Sequence, residues 1–161
     1  MKAWLVAAVV VTLGAFGAAA QQPIVITVGG AAGNPGDTAE LEVVLAPGGT
    51  APATLILFLE HAPGVLEPDT DFYSVVQTDL GGNTVVTRSA VQAGPAVVAA
   101  GKTLDLGVPS PGRLGVAITG INEATLPDGL LFSLALRIAN SATPGTDVVV
   151  QGAPDDSSAT T

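Results

Sequence analysis

Apolar residues recur at every second position along much of this chain, which is the period of a β-strand with one buried face. The clearest case is residues 130–138, where apolar positions alternate with residues that are mostly small or polar. A helix with one apolar face fits some of the same positions. The flanks favour the strand, because the turn sequence Pro-Asp-Gly at 127–129 precedes the run and Pro-Gly at 144–145 follows it.

Similar short patterns, separated by turns, fill most of the remaining chain. They predict strands at residues 24–28, 38–46, 54–60, 65–66, 73–77, 84–88, 102–108, 113–119 and 146–151. One helical turn is predicted at residues 95–100, with Pro95 at its first position and Gly101 past its end. With 20 Gly and 12 Pro, this pattern predicts one all-β domain of about nine strands, a sandwich or barrel.

The first 20 residues have the features of a secretory signal peptide. Lys2 precedes an apolar run that ends in Ala18-Ala19-Ala20, a small-residue cleavage site. We predict cleavage before Gln21, a folded domain over residues 21–152 and a secreted or cell-surface location. The alternative is an uncleaved membrane anchor, since the run is near the lower length limit for a spanning helix. The polar residues 153–161 predict a disordered tail.

Composition excludes several classes of function. The formal net charge is −9, with 14 acidic and five basic residues, so the chain is unsuited to nucleic acid, which is bound through Lys and Arg. There is no Cys, and the core must therefore hold the fold without disulfides. We predict no cofactor, and no stable membrane association after the leader is removed.

Reactive side chains are few, and their pattern does not predict an enzyme. His61 is the only His, and no G-x-S-x-G nucleophile motif is present. We predict that His61 is a partly packed residue at a strand end. Glu67, Asp69 and Asp71 lie close enough to suggest a weak surface calcium site, but the loop lacks the Gly and closing Glu of a calcium-binding loop. A solvated acidic loop is the simpler interpretation, and no metal site is predicted.

Four passages resemble the cohesin domain, the jelly-roll module that binds dockerin-bearing enzymes in cellulosomes. They are "ITVGGAAGNPGDTAELEVVL", "LILFLEHAPGVLEPD", "GRLGVAITG" and "LPDGLLFSLALRIANSATPGTDVVV", and they cover nearly all of residues 24–151. The resemblance implies a nine-stranded β-sandwich with jelly-roll topology. It also implies a non-catalytic module whose flat sheet face receives the helices of a dockerin-like protein partner, in an extracellular polysaccharide-degrading assembly.

On this reading, residues 54–60, 103–107, 113–119 and 130–139 are neighbouring strands of one sheet. The residues expected to point outward and bind the partner are Ile56, Phe58, Glu60, Arg113, Thr119, Ser133 and Arg137. Two alternatives remain: a carbohydrate-binding module, or a structural surface or adhesin domain on the same scaffold. It also remains open whether the segment 68–101, longer than the usual connection, covers the face.

Overall fold

The computed structural model describes residues 6–7, 9–13, 24–46, 48, 51–78, 82–145, 147–153 and 157–160. The cleavage site predicted at residues 18–20 lies outside the described residues. No helix in these ranges is both long enough and apolar enough to span a membrane.

Fifteen strand segments and one short helix make up the described chain. In order they are β1 Val6–Ala7, β2 Val9–Leu13, β3 Ile24–Val28, β4 Thr38–Ala46, β5 Thr54–Glu60, β6 Leu66–Pro68, β7 Tyr73–Thr78, β8 Thr84–Ser89, β9 Val91–Ala93, α1 Pro95–Ala99, β10 Thr103–Ser110, β11 Arg113–Thr119, β12 Gly129–Ile138, β13 Val148–Val149, β14 Gln151–Gly152 and β15 Ser158–Thr160.

Two antiparallel sheets hold most of these strands. The first, called the β5 sheet, has the order β10-β11-β5, with both β14 and β15 on the other edge of β5. The second, called the β12 sheet, has the order β2-β3-β4-β12, with β6 and β9 on the far edge of β12. A separate two-stranded ribbon consists of β7 and β8, and β1 pairs in parallel with β13.

The core lies between the inner faces of the two sheets. On β4, β5 and β11 buried positions alternate with exposed or half-buried ones, as the apolar period requires. Eight apolar residues that the alternating pattern places on the buried sides of β5, β11 and β12 are all 0% exposed, namely Leu57, Leu59, Leu114, Val116, Ile118, Phe132, Leu134 and Leu136. Full burial of such side chains contributes roughly 1.5–3 kcal/mol each to stability. The all-β sandwich predicted from the pattern is therefore confirmed.

One part of the predicted topology is wrong. β12 was expected beside β5 and β11, yet it lies in the opposite sheet, where Leu134 pairs with Leu41 of β4 and Leu136 pairs with Ala39. Alternation shows which side of a strand is buried, but both sheets bury their inner sides against the same core. The pattern therefore could not assign β12 to a sheet.

The segment between β6 and β10 follows β12 closely. The Asp69 amide donates to the Ala135 carbonyl at 2.9 Å, and the Ala135 amide donates to the Ala90 carbonyl at 2.8 Å. The hairpin predicted near residues 73–88 is present as β7–β8, and the predicted helical turn is α1. Gly101 ends that turn with φ +62°, a conformation that favours glycine.

The C-terminal residues complete the β5 sheet. Within the tail expected to be disordered, Ser158–Thr160 pairs with β5 as β15. The outer face of β5 is open at Ile56, which is 39% exposed.

Candidate functional site

The outer face of the β5 sheet has an apolar centre. This outer face consists of the outward residues of β5 and β11, which are Thr54, Ile56, Phe58 and Glu60 on one strand and Arg113, Gly115, Ala117 and Thr119 on the other. Ile56 pairs with Ala117 and Phe58 pairs with Gly115 across the two strands. The centre therefore presents one exposed branched side chain beside small residues that leave it accessible.

Phe58 and Arg113 form the best-defined contact on this face. The guanidinium carbon of Arg113 lies 4.5 Å from the centre of the Phe58 ring, a cation–π arrangement. The ring lies over Gly115, where an added Cβ would be 3.0 Å from Cε1 of Phe58. Gly115 thus provides the space into which the ring settles, and Phe58 is half-buried as a result.

Polar groups surround this centre. Glu60 is the cross-strand neighbour of Arg113, and Thr119 is the neighbour of Thr103, whose hydroxyl donates to the Thr119 carbonyl at 3.2 Å. Asp105 of β10 is exposed opposite Ala117. An apolar centre within a polar margin is the usual arrangement of a protein-binding surface.

The C-terminal segment fixes the free side of β5. The Phe58 amide donates to the Ser157 hydroxyl oxygen at 3.0 Å, and that hydroxyl donates to the Ala153 carbonyl at 2.8 Å. The Ala153 amide donates in turn to the Phe58 carbonyl at 2.8 Å. Sequence reasoning missed this contribution, because a Ser/Thr-rich tail gives no apolar signal.

The structure brings together five of the seven predicted partner-binding residues: Ile56, Phe58, Glu60, Arg113 and Thr119. Ser133 and Arg137 were wrongly included, because both belong to β12 in the opposite sheet. Gly115 and Ala117 were missed as part of the face, although the alternation of the sequence "RLGVAIT" places them on the same side as Arg113.

Arg137 forms an ion pair on the β12 sheet. Its guanidinium lies 3.1 Å from a carboxylate oxygen of Asp69, and the Thr38 hydroxyl donates to the same oxygen at 2.6 Å. The hydrogen bond from the Thr38 hydroxyl, and to a smaller extent Arg137, hold the pKa of Asp69 below its usual range. Burial of Asp69 acts in the opposite direction, to raise the pKa. These three residues join β4, β12 and the start of the 68–101 segment.

Ser133 lies beneath the 68–101 segment. It is half-buried, paired with Glu42 on one side and Gln92 on the other. The Tyr73 hydroxyl is buried near Ser133 and Glu40, without hydrogen-bond geometry to any described residue. Burial, followed by the neighbouring Glu40 carboxylate, raises the pKa of Tyr73. Residues 68–101 therefore cover Ser133, one of the predicted partner-binding residues, but leave Ile56 exposed.

His61 follows β5 at one end of the outer face. Its side chain is buried, and its amide donates to the Gly112 carbonyl at 2.8 Å. Nδ1 lies 3.4 Å from the Ala62 carbonyl oxygen, while Nε2 has no hydrogen-bond partner among the described residues. The ring is therefore packed at a strand end, as predicted. Its nitrogen Nδ1 lies near a carbonyl oxygen rather than near a nucleophile.

We expect His61 to make the fold acid-sensitive. Burial lowers the pKa of His61 below its ordinary value of 6.5, against weaker opposing effects of the Ala62 carbonyl and Glu67. As the pH falls, His61 of the unfolded chain takes up a proton before His61 of the folded chain does. The stability that depends on neutral His61 is therefore full above pH 6.5 and declines as the pH falls from there through the folded-state pKa.

Urea unfolding at about pH 7.5 and about pH 5.5 measures this effect. His61→Phe keeps a ring that cannot titrate, and its loss of stability between the two pH values should be smaller than that of the wild-type protein. Equal losses in the two proteins would contradict the assignment to His61.

The acidic loop does not form a metal site in the structure. Across the described ranges, no group of three or more His, Asp or Glu side chains is placed to hold a metal ion. Asp69 is turned towards Thr38 and Arg137, and the Asp71 carbonyl accepts a hydrogen bond from Arg88 at 3.3 Å.

The fold is similar to solved cohesin modules. The sixth cohesin of scaffoldin B from Acetivibrio cellulolyticus, solved in complex with a mutant Cel5 dockerin, is 20% identical with a TM-score of 0.53, covering 75% of this chain and 74% of that chain. The solution structure of CaCohA2 from Clostridium acetobutylicum is 15% identical with a TM-score of 0.53, covering 96% and 79%.

A crystal structure of a CaDoc0917–CaCohA2 complex also matches, at 17% identity and a TM-score of 0.54, over 98% of this chain and 86% of that chain. No protein-family model and no curated protein sequence matches the chain. At these identities the likeness concerns the fold, and it confirms at that level the resemblance predicted from the sequence. The chain is a jelly-roll β-sandwich with the fold of cohesin modules.

Proposed function

We propose that this chain is a non-catalytic protein-interaction module that binds a dockerin-like helical partner on the outer face of the β5 sheet. The observation that carries the proposal is the exposed apolar centre at Ile56, beside the half-buried Phe58 and within a polar margin. Binding at such a face depends on complementary shape and apolar contact rather than on a reactive group. The face can pack against one side of a helix.

The details of the face support a role in binding. Arg and aromatic residues are the side chains most often found at energetic centres of interfaces. Here the Arg113 guanidinium stacks on Phe58, which holds both side chains in place before a partner arrives. A partner therefore loses less conformational entropy on binding than it would with two mobile side chains.

The similar structures support the choice of partner. The Acetivibrio cellulolyticus cohesin was solved in complex with a dockerin, and another similar structure comes from the cell-surface anchoring scaffoldin of Ruminococcus flavefaciens. We extend the dockerin partner and the cell-surface setting to this chain. It would then be a secreted or cell-surface module in an assembly that degrades polysaccharide. Its leader is removed before Gln21 together with β1 and β2, which leaves β3 as the terminal strand of the β12 sheet, and the intact mass of the exported protein measures this step directly.

Calorimetric titration of the full chain with purified dockerin modules from the same organism tests the proposed partner. Saturable binding at a ratio of one to one supports the proposal. If none of those dockerins binds, the proposed partner is wrong, whatever the location of the protein.

We expect no measurable binding to insoluble cellulose, chitin or xylan. Flat polysaccharide surfaces require a row of exposed rings, and among the described residues only Phe72, at 43% exposure, presents a largely open one. Its neighbour Tyr73 is buried and meets it edge to face, with ring centres 4.9 Å apart. A depletion assay with each polysaccharide measures retention, and saturable retention would favour the carbohydrate-binding alternative.

A further inference from the structure

A groove separates the ribbon β7–β8 from the outer strand of the β5 sheet. Its volume is about 790 Å³, and it is lined by residues 87–89 of β8 and residues 103–106 of β10, among others. Successive residues of a strand point to opposite faces, so a strand that presents its face to a groove lines it with alternate residues. Consecutive lining residues show that both strands present their backbone edges to this groove.

Both of these edges lack a strand partner in the described part of the chain. β10 is the terminal strand of the β5 sheet and pairs there with β11 alone. β8 pairs with β7 alone. A free strand edge carries a row of amide and carbonyl groups that can pair with a further extended chain. The groove therefore has hydrogen-bonding groups of the same kind on its two sides.

The floor of the groove is apolar and its charged groups are mostly basic. Leu104 and Leu106 are half-buried and contact the edge of the core, and Val91 is buried beside them. Arg88 and Lys102 line the groove together with one acid, Asp105. Two of the five basic residues of a chain with net charge −9 thus lie at this groove.

Arg88 is the cation that a bound segment can reach. It is exposed on β8, and one of its nitrogens donates to the Asp71 carbonyl at 3.3 Å. A guanidinium has five N–H donors, so its other donors are suited to a carboxylate. Lys102 is buried and its ammonium donates to the Asn122 carbonyl at 2.7 Å, so it contributes positive potential rather than a direct contact.

We propose that this groove binds an extended, acidic segment of a protein partner, which adds as a β-strand between β8 and β10. Backbone pairing to the two edges provides the affinity, and alternate apolar side chains contact Leu104 and Leu106. Acidic side chains on the segment pair with Arg88. This site is separate from the outer face, although β10 connects the two through the β5 sheet.

The ribbon gives a physical reason for such binding. A two-stranded ribbon is marginally stable in water by itself. Here Val76 and Val86 are opposite each other on one side of it, 66% and 61% exposed. A strand inserted beside β8 would join the ribbon to the β5 sheet and replace two free edges with paired ones.

The probe for a test is a capped hexapeptide of alternating Glu and Val, titrated into the full chain to about 1 mM, the range of weak recognition. We expect saturable shifts of backbone amide resonances within residues 87–89 and 103–106. A matched hexapeptide of alternating Lys and Val lacks the ion pair with Arg88 and should shift those resonances less at the same concentration. Arg88→Gln should weaken binding of the acidic peptide about twofold to fivefold, as expected for an exposed ion pair.

The outcomes separate this groove from the outer face. Ile56→Asp alters the outer face alone, so the acidic peptide should shift the same amides in that variant. The proposal is overturned if the acidic peptide causes no shifts at the groove, or if the basic peptide binds there equally well. It is also overturned if the shifts fall on Ile56 and Phe58 instead.

Discussion

Phe132→Ala should lower the free energy of unfolding by about 3–5 kcal/mol. Phe132 is 0% exposed and is among the largest side chains buried in the core. It lies on β12, opposite Val43 of β4 and beside Ala93 of β9, so its ring is enclosed from several strands. Truncation removes the ring's burial and leaves a cavity that the surrounding sheets close only in part. Urea unfolding followed by circular dichroism measures the loss.

Phe72→Ala is the matched control for this change. Phe72 is 43% exposed on the segment before the ribbon and makes an edge contact with Tyr73. Its truncation should cost about 1 kcal/mol or less, the usual energy of such a ring pair. If the two variants lose similar stability, the assignment of Phe132 to the central core is wrong.

Ile56→Asp should weaken binding of the dockerin-like partner at least 30-fold, the effect of losing about 2 kcal/mol at an interface centre. The substitution places a carboxylate at the apolar centre of the outer face. Binding of the partner would strip this carboxylate of its hydration, which costs free energy. Calorimetric titration with the partner dockerin measures the change. Since Ile56 points away from the core and is 39% exposed, the variant should remain folded.

Val44→Asp is the control for Ile56→Asp, because Val44 is a branched residue of similar exposure, 36%, on the opposite sheet. Both changes introduce the same charge into a strand, and both carry the modest cost of Asp in a β-strand. We expect wild-type affinity for Val44→Asp. If Ile56→Asp and Val44→Asp both bind the dockerin with wild-type affinity, the partner uses another surface, and the outer face has no part in recognition.

The period of the sequence was sufficient to predict which residues of β5, β11 and β12 point into the core. Leu57, Val116 and Phe132 point inward because an alternating strand has one apolar side, a local property that needs no knowledge of neighbours. The turn sequences near residues 127–129 and the helical turn at α1 were predictable for the same reason, since Pro and Gly act within a few residues.

Pairing between distant strands was not predictable in this way. Whether β12 lies beside β4 or beside β5 depends on contacts across the whole domain, and both arrangements bury the same residues. Ser133 and Arg137 were therefore placed on the wrong face, while Arg113 was placed correctly. The contact between Arg113 and Phe58 also depends on Gly115, whose importance appears only once the two strands are in register.

The pairing of β5 with the last described residues has a consequence for how the protein is made. The hydrogen bond from the Phe58 amide to the Ser157 hydroxyl joins residues 99 positions apart in the sequence. Contacts of such long sequence separation slow folding, because a large loop must close before they form. During synthesis β5 emerges well before its partners β11, β14 and β15, so the sheet that carries the outer face is completed only after residues 158–160 have emerged.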